Sequence, residues 1–162
     1  MRNRRRYKTA RCILHRPTED AASPAAEREY LLAVHASFRY RRRPRWGLVG
    51  GAVEWREDPH RAALREVDEE LGIQLSDALS VGAYDYKQSS HLVVAAEWRG
   101  DIPRIDDSEL MHVRWFNTQG VETLAAERSL HAGYEWQAIQ HLHALLAGHS
   151  GIAGPFDESV GV

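Results

Sequence analysis

Residues 46–73 read WGLVGGAVEWREDPHRAALREVDEELGI, and this stretch decides how the rest of the chain is understood. Asp58 followed by Pro59 is a helix start. An aspartate caps free N–H groups, and proline in the first turn loses nothing by lacking one. Arg61 to Leu71 contains good helix formers, and Gly72 is a natural stop. On such a helix Glu66, Glu69 and Glu70 stand at i, i+3 and i+4, so three carboxylates share one face. Ala63, Leu64, Val67 and Leu71 form a second, apolar face for the core. Asp68, Arg61 and Arg65 fall toward solvent or the edges.

Three like charges on one face repel, and an exposed helix gains nothing from them. Two readings follow. The face is simply solvated, as charge runs usually are, or a divalent cation offsets the repulsion. Carboxylate oxygens suit hard ions, Mg²⁺ or Mn²⁺, over zinc. Just upstream, the backbone of Gly50 and Gly51 can come close to a ligand or offer a carbonyl to a metal.

The spacing has a further regularity: Gly51, five residues, Glu57, seven residues, then Arg65-Glu66-Val67-Asp68-Glu69-Glu70-Leu71-Gly72-Ile73. In this the chain resembles the Nudix hydrolase family at every fixed position of its signature. One departure is Val49, where the family often has proline; this loosens the turn and leaves the ligands untouched. The resemblance implies an α/β/α sandwich with a central mixed β-sheet. It also implies a metal-dependent pyrophosphohydrolase that cleaves a nucleoside diphosphate linked to another moiety.

Site roles follow from the same resemblance. Glu66 and Glu70 are the leading metal ligands, and the carbonyl of Gly50 is a backbone ligand. Glu69 is either a third ligand or the base that orients water. Gly51, Glu57 and Arg65 support the motif, with Arg65 anchoring the loop or Glu57 in preference to touching substrate. Some members take the general base from a loop after the central strands. Glu109 is the candidate here, with Asp106 and Asp107 nearby, and a plain solvent-facing turn is the alternative.

The chemistry is coherent. A diphosphate resists water because its negative oxygens repel nucleophiles. Divalent ions neutralise that charge and lower the pKa of bound water, and arginines can stabilise the departing phosphate.

Composition sets bounds. A length of 162 residues is one domain by prior, placed at residues 1–150, with 151–162 a loosely ordered tail. With 43% hydrophobic and 27% charged residues the chain reads as globular. A net charge of −2 argues against bulk nucleic-acid affinity. A single cysteine, Cys12, excludes an internal disulfide framework and fits a reducing, cytoplasmic compartment. Cys12 lies in an apolar strand and reads as core. The basic start MRNRRR has no apolar segment behind it, so it is not read as a signal peptide, and no apolar run is long enough to span a bilayer.

Along the chain, Tyr7 to Arg16 reads as a strand with Ala10, Cys12 and Leu14 on one face and Arg11, Ile13 and His15 on the other. A loop follows from Pro17. Glu29 to Ser37 reads as a strand buried on both faces. Leu79–Tyr86, Ser90–Trp98 and Leu110–Phe116 are further strands, with a polar loop over 99–109. Asn117 or Thr118 caps a short helix. Tyr134 to Ala147 is an amphipathic helix with Trp136, Ile139, His143 and Leu146 in one stripe and Leu142 and Leu145 beside it. This order says mixed α/β or α+β. Of nine histidines none shows zinc spacing, and His141 and His143 read as surface or core residues.

Residues 38–46, FRYRRRPRW, place five arginines and three aromatics directly before the acidic helix. They form a solvated turn, or bind the phosphates and base of a nucleotide, or bind RNA or DNA. Arg45, Trp46 and Tyr40 are the substrate-binding candidates, with Phe38, Tyr84 and Tyr86 as further base-pocket aromatics. Two subfamily marks are missing: no SQPWPFPxS follows, and Ser89 stands where some ADP-ribose hydrolases carry proline. This favours nucleoside triphosphates, ordinary or oxidised, or nucleotide sugars. The alternatives are a non-catalytic nucleotide-sensing domain and an RNA 5′-end pyrophosphohydrolase. The expected partner is a small nucleotide, with no nucleic acid and no membrane; a homodimer is compatible with the sequence.

Overall fold

The computed structural model describes residues 6–18, 27–38 and 41–148. The opening MRNRRR up to Arg5, most of the loop after Pro17, Arg39 and Tyr40, and the tail from 149 lie outside the described residues.

Seven strands form one sheet, running β1 (Tyr7–Pro17), β2 (Arg28–His35), β3 (Trp46–Gly47), β4 (Val49–Ala52), β5 (Leu79–Tyr86), β6 (Ser89–Glu97) and β7 (Leu110–Asn117). Three helices complete it: α1 (Pro59–Leu71), α2 (Thr118–Ala126) and α3 (Glu135–Leu146). β1 is central. One edge pairs parallel with β6, Arg11 lying beside Val93. The other edge is shared by two antiparallel partners, β4 along Thr9–Cys12 and β2 along His15–Pro17. The sheet is therefore mixed, as expected.

Both faces are covered. Ala10, Cys12 and Leu14 of β1 join Leu31, Ala33, Val94 and the α1 residues Ala62, Ala63, Val67 and Leu71 in one core. Ile13 joins Tyr30, Leu32, Val93 and the α2–α3 residues Val121, Ala138, Ile139 and Leu142 in a second. This alternation is the period-two rule of strands. Burial pushes the Cys12 thiol up to about 12, in keeping with a core residue. Among the described residues no helix is long and apolar enough to cross a membrane.

α1 forms as its caps dictate. Asp58 is extended (φ −66°, ψ 126°) and its Oδ2 accepts from the N–H of Arg61 at 3.2 Å. Gly72 turns left-handed at φ 69°, and its N–H reaches the Asp68 carbonyl at 2.8 Å. The apolar face needs one correction. Ala62 is buried and Leu64 is only half-buried, at a surface groove with Leu75. Small side chains let the helix come close to the sheet, and the larger Leu64 is turned to the flank.

The stripe of α3 is also rotated from the expected one. Glu135, Ala138, Ile139 and Leu142 are buried, whereas His143 and Leu145 are exposed. Glu135 is drawn inward because its two carboxylate oxygens accept the N–H groups of Ala132 and Gly133 at 2.7 and 2.8 Å. That satisfies donors which the turn leaves free, and the buried carboxylate sets the phase of the helix.

Replacing Asp58 by alanine removes the α1 cap. It should lower stability by about 1 kcal/mol, seen as an earlier midpoint with an unchanged slope in urea unfolding.

Candidate active site

The C-terminus of α1 leaves carbonyls without helical partners. The 104–106 loop takes them. Arg104 N–H bonds to Leu71 O at 3.2 Å, and Asp106 N–H to Glu70 O at 2.9 Å. The Arg104 guanidinium reaches the Asp68 and Glu69 carbonyls at 3.0 and 3.2 Å. The loop is thus docked on the helix end, and Asp106 comes to the same cleft as Glu70. Glu109 is placed from the other side, where its carbonyl accepts the N–H of Ala36 at 2.8 Å.

A cleft of about 390 Å³ is lined by Arg11, His35, Gly50–Ala52, Glu66, Glu69, Glu70, Asp106 and Glu109. It brings together Gly50, Gly51, Glu66, Glu69, Glu70 and Glu109 of the expected set. At Gly51 a Cβ would stand 2.6 Å from the Glu66 carboxyl, so a side chain there would displace that carboxylate. Glycine at 50 is needed twice over. Its φ is 143°, and a Cβ would lie 2.3 Å from the Ala10 carbonyl oxygen.

The three helix carboxylates have unequal surroundings. Arg65 organises the outer ones. Its Nε and Nη2 bind Glu57 in a fork at 2.7 and 3.0 Å, and Nη2 also donates to the Ala52 carbonyl at 3.1 Å. Its Nη1 bridges Glu66 at 3.1 Å and Glu69 at 3.0 Å. The hydrogen bond from Arg65 holds the Glu57 carboxyl below its ordinary range. Burial pushes Glu66 up, against the pull of Arg65. Glu69 is the most open of the three, its side chain 56% exposed.

Glu70 differs. It is 3% exposed, and its hydrogen bond is with the N–H of Gly50 at 3.4 Å. Burial first, and then the charge of Glu66, push its pKa up to about 8. Among the described residues no group of three or more His, Cys, Asp or Glu side chains is gathered tightly enough to hold a metal ion. What the cleft does provide is a pair of hard oxygen donors, Glu66 and Glu70, beside a backbone that glycine keeps clear. These donors suit a divalent cation. The Gly50 carbonyl accepts from Arg11 Nη1 at 2.7 Å, so one of its two lone pairs is engaged.

The substrate candidates upstream are placed differently. Trp46 is absent from the cleft lining; its ring meets Phe116 edge-on at 4.9 Å, because the apolar surface of β7 lies beside it. Arg45 is exposed, and Tyr40 lies outside the described residues. Tyr84 is buried, stacked on Tyr134 and bonded through its hydroxyl to His141. His143 is exposed. Sequence reasoning missed Arg11 and His35 in the cleft. The available signal was a charged side chain at Arg11 in the middle of a strand, next to the apolar run Cys12-Ile13-Leu14.

A layered α/β domain carrying carboxylates on a helix beside a glycine pair is thus defined by geometry alone. The family model for the NUDIX domain matches residues 15–142. The chain belongs to the Nudix hydrolase family. Solved structures agree in fold. The Ap4A hydrolase of C. elegans is 21% identical with a TM-score of 0.61, covering 87% of this chain and 99% of that one. The Nudix hydrolase RenU from M. smegmatis is 21% identical, TM-score 0.62, covering 86% and 87%. The NUDIX domain of Shewanella oneidensis NrtR, in complex with ADP ribose, is 15% identical, TM-score 0.62, covering 87% and 88%. A comparison with curated protein sequences returned no match.

The state of Glu70 has a consequence for stability. Its folded pKa is raised, so between about 4.5 and about 8 the folded chain binds more protons than the unfolded one. Stability from this group is therefore lost as pH rises through that window. In metal-free buffer the melting temperature of Glu70→Gln should fall less from pH 5 to pH 8.5 than that of the wild type. Parallel curves in differential scanning calorimetry would contradict this.

Proposed function

We propose that this chain is a metal-dependent pyrophosphohydrolase that cleaves the diphosphate linkage of a nucleoside diphosphate joined to another moiety. A nucleoside triphosphate, an oxidised nucleotide or a nucleotide sugar is the substrate class. The observation that carries this reading is Glu70, a buried carboxylate beside Glu66 with no cation paired to it among the described residues. Keeping such a group costs stability, and a hard cation between the two carboxylates would offset that cost.

Glu66 and Glu70 would hold Mg²⁺ or Mn²⁺, with Glu69 and the Gly50 carbonyl as further donors. When bound, the ion supplies charge neutralisation at the phosphates and a lower pKa for water. Glu109, on the cleft wall, is suited to take the proton of the attacking water; Glu69 is the other carboxylate able to do so. Water adds to phosphorus, the anhydride P–O bond breaks, and the phosphate leaves. Arg65, held in a fork by Glu57, keeps the loop and Glu66 in position. It is a positioning residue.

Two other readings have less support. A non-catalytic sensor has no use for an intact carboxylate set, and an RNA 5′-end hydrolase would rely on exposed Arg41–Arg45. One assay separates all three. With Mg²⁺ the wild type should hydrolyse a member of a panel of nucleoside triphosphates, oxidised nucleotides and nucleotide sugars, with products identified by mass. Glu70→Gln should lower the rate by about 10²-fold or more while leaving the circular dichroism unchanged. Wild-type rates in that variant would refute the metal role. Binding without release points to a sensor, and a preference for 5′-triphosphorylated RNA with steep salt dependence points to RNA ends.

A further inference from the structure

Arg104 lies outside the acidic motif and does not line the carboxylate cleft. It lines an adjoining surface hollow with Ile105 and Asp107, and Glu69 and Asp106 belong to both. Arg104 is exposed, as are Pro103 and Ile105 on either side of it. An exposed arginine usually extends into water, because fixing its long side chain costs rotamer freedom. This one is folded back onto α1.

The last four carbonyls of a helix lack helical donors. In α1 they belong to Asp68, Glu69, Glu70 and Leu71. Arg104 serves three of them. Its backbone N–H bonds to Leu71 O at 3.2 Å, and its Nη2 donates to Asp68 O and Glu69 O at 3.0 and 3.2 Å. The remaining one, Glu70 O, accepts the N–H of Asp106 at 2.9 Å. The guanidinium also brings positive charge to the negative end of the helix dipole. Gly72 leaves its path open, since a Cβ there would stand 3.1 Å from Cγ of Arg104 and 3.4 Å from its Nε.

The segment that Arg104 opens leads to Glu109. Ile102 packs on the first core and Leu110 is buried in it, so residues 103–109 hang between two fixed points. Within them Asp106 forms a turn. Its Oδ1 accepts the N–H and the hydroxyl of Ser108, and its carbonyl accepts the N–H groups of Glu109 and Leu110 at 3.1 and 2.9 Å. Glu109 is thus tied to Asp106, and Asp106 to the peptide of Glu70. Arg104 fastens the start of the segment to the same helix end.

We propose that Arg104 is a positioning residue. By clamping the 104–109 segment to the end of α1, it holds the Glu109 carboxylate on the cleft wall beside Glu70, where that group takes the proton of the attacking water. This rests on the role given to Glu109 above. Arg104 itself touches no substrate, so its loss should appear in kcat and spare KM.

Hydrogen exchange by NMR on the metal-free full chain reads the clamp without turnover. In Arg104→Met the Asp106 and Glu109 amides should exchange about fivefold or more faster than in wild type, with the amides of β6 within about twofold. Kinetics with Mg²⁺ and ATP, GTP, 8-oxo-dGTP or UDP-glucose read its use. On any of these that the wild type hydrolyses, Arg104→Met should lower kcat about fivefold or more and leave KM within about twofold. In a Glu109→Gln background the same substitution should change kcat by less than about twofold, since the group it positions is already gone. Unchanged exchange at Asp106 and Glu109, a wild-type kcat in Arg104→Met, or an equal loss in both backgrounds would each overturn the proposal. Glu109→Gln at the wild-type rate would remove Glu109 as the base, and this assignment with it. An impaired Glu109→Gln beside a wild-type Arg104→Met overturns this assignment alone. A wild type inactive on all four compounds counts against the pyrophosphohydrolase reading, and exchange then decides the clamp.

Discussion

Backbone can meet backbone closely only where side chains are missing, and at Gly50 and Gly51 two successive ones are missing. The first glycine brings β4 against β1 at Ala10 and Arg11, and the second brings it against the Glu66 carboxylate. One short strand is thereby pressed between a central strand and a helix. A methyl group at Gly50 would press on the backbone of β1 at Ala10 and Arg11, whereas one at Gly51 would meet the movable end of the Glu66 side chain.

The charges along β1 make an instructive contrast. Toward its C-terminal end, buried Arg28 binds Glu97 at 2.9 Å and meets His15 Nδ1 at 3.0 Å. Burial and the Arg28 charge hold His15 down at about 4. Cation meets carboxylate, and the arrangement is self-sufficient. Toward Gly50 the logic is reversed. Arg11 and Glu70 are both partly or fully buried, and each contacts the peptide unit of Gly50 instead of the other. Opposite charges thus line one cleft, each bonded to an uncharged backbone group.

How much of this was legible in the sequence depended on how local its cause was. Asp58, Pro59 and Gly72 bounded α1 correctly because capping involves only near neighbours. The strand over 7–16 and its two faces were equally readable, since alternation is local too, and it runs one residue further, through Pro17. Leu64 and the α3 stripe went astray because the docking partner, not the helix, chose which side chains were buried. A glutamate in a core stripe, as at Glu135, defies hydrophobic patterning unless its loop partners are known. The carboxylates were found through spacing along one helix. Arg11 and His35 come from separate strands, and only the sheet assembles them.

The parallel pairing of β1 with β6 imposes an order on the chain's birth. Thr9 bonds to His91, 82 residues away, so β1 leaves the ribosome long before the strand that will flank it. Until β6 is made, one edge of an apolar strand has unpaired backbone groups and nothing to cover them. Its antiparallel partner β2 arrives sooner, but holds only the far end. The nascent chain therefore passes through an interval of exposure to wrong pairing, set by the time needed to translate those intervening residues.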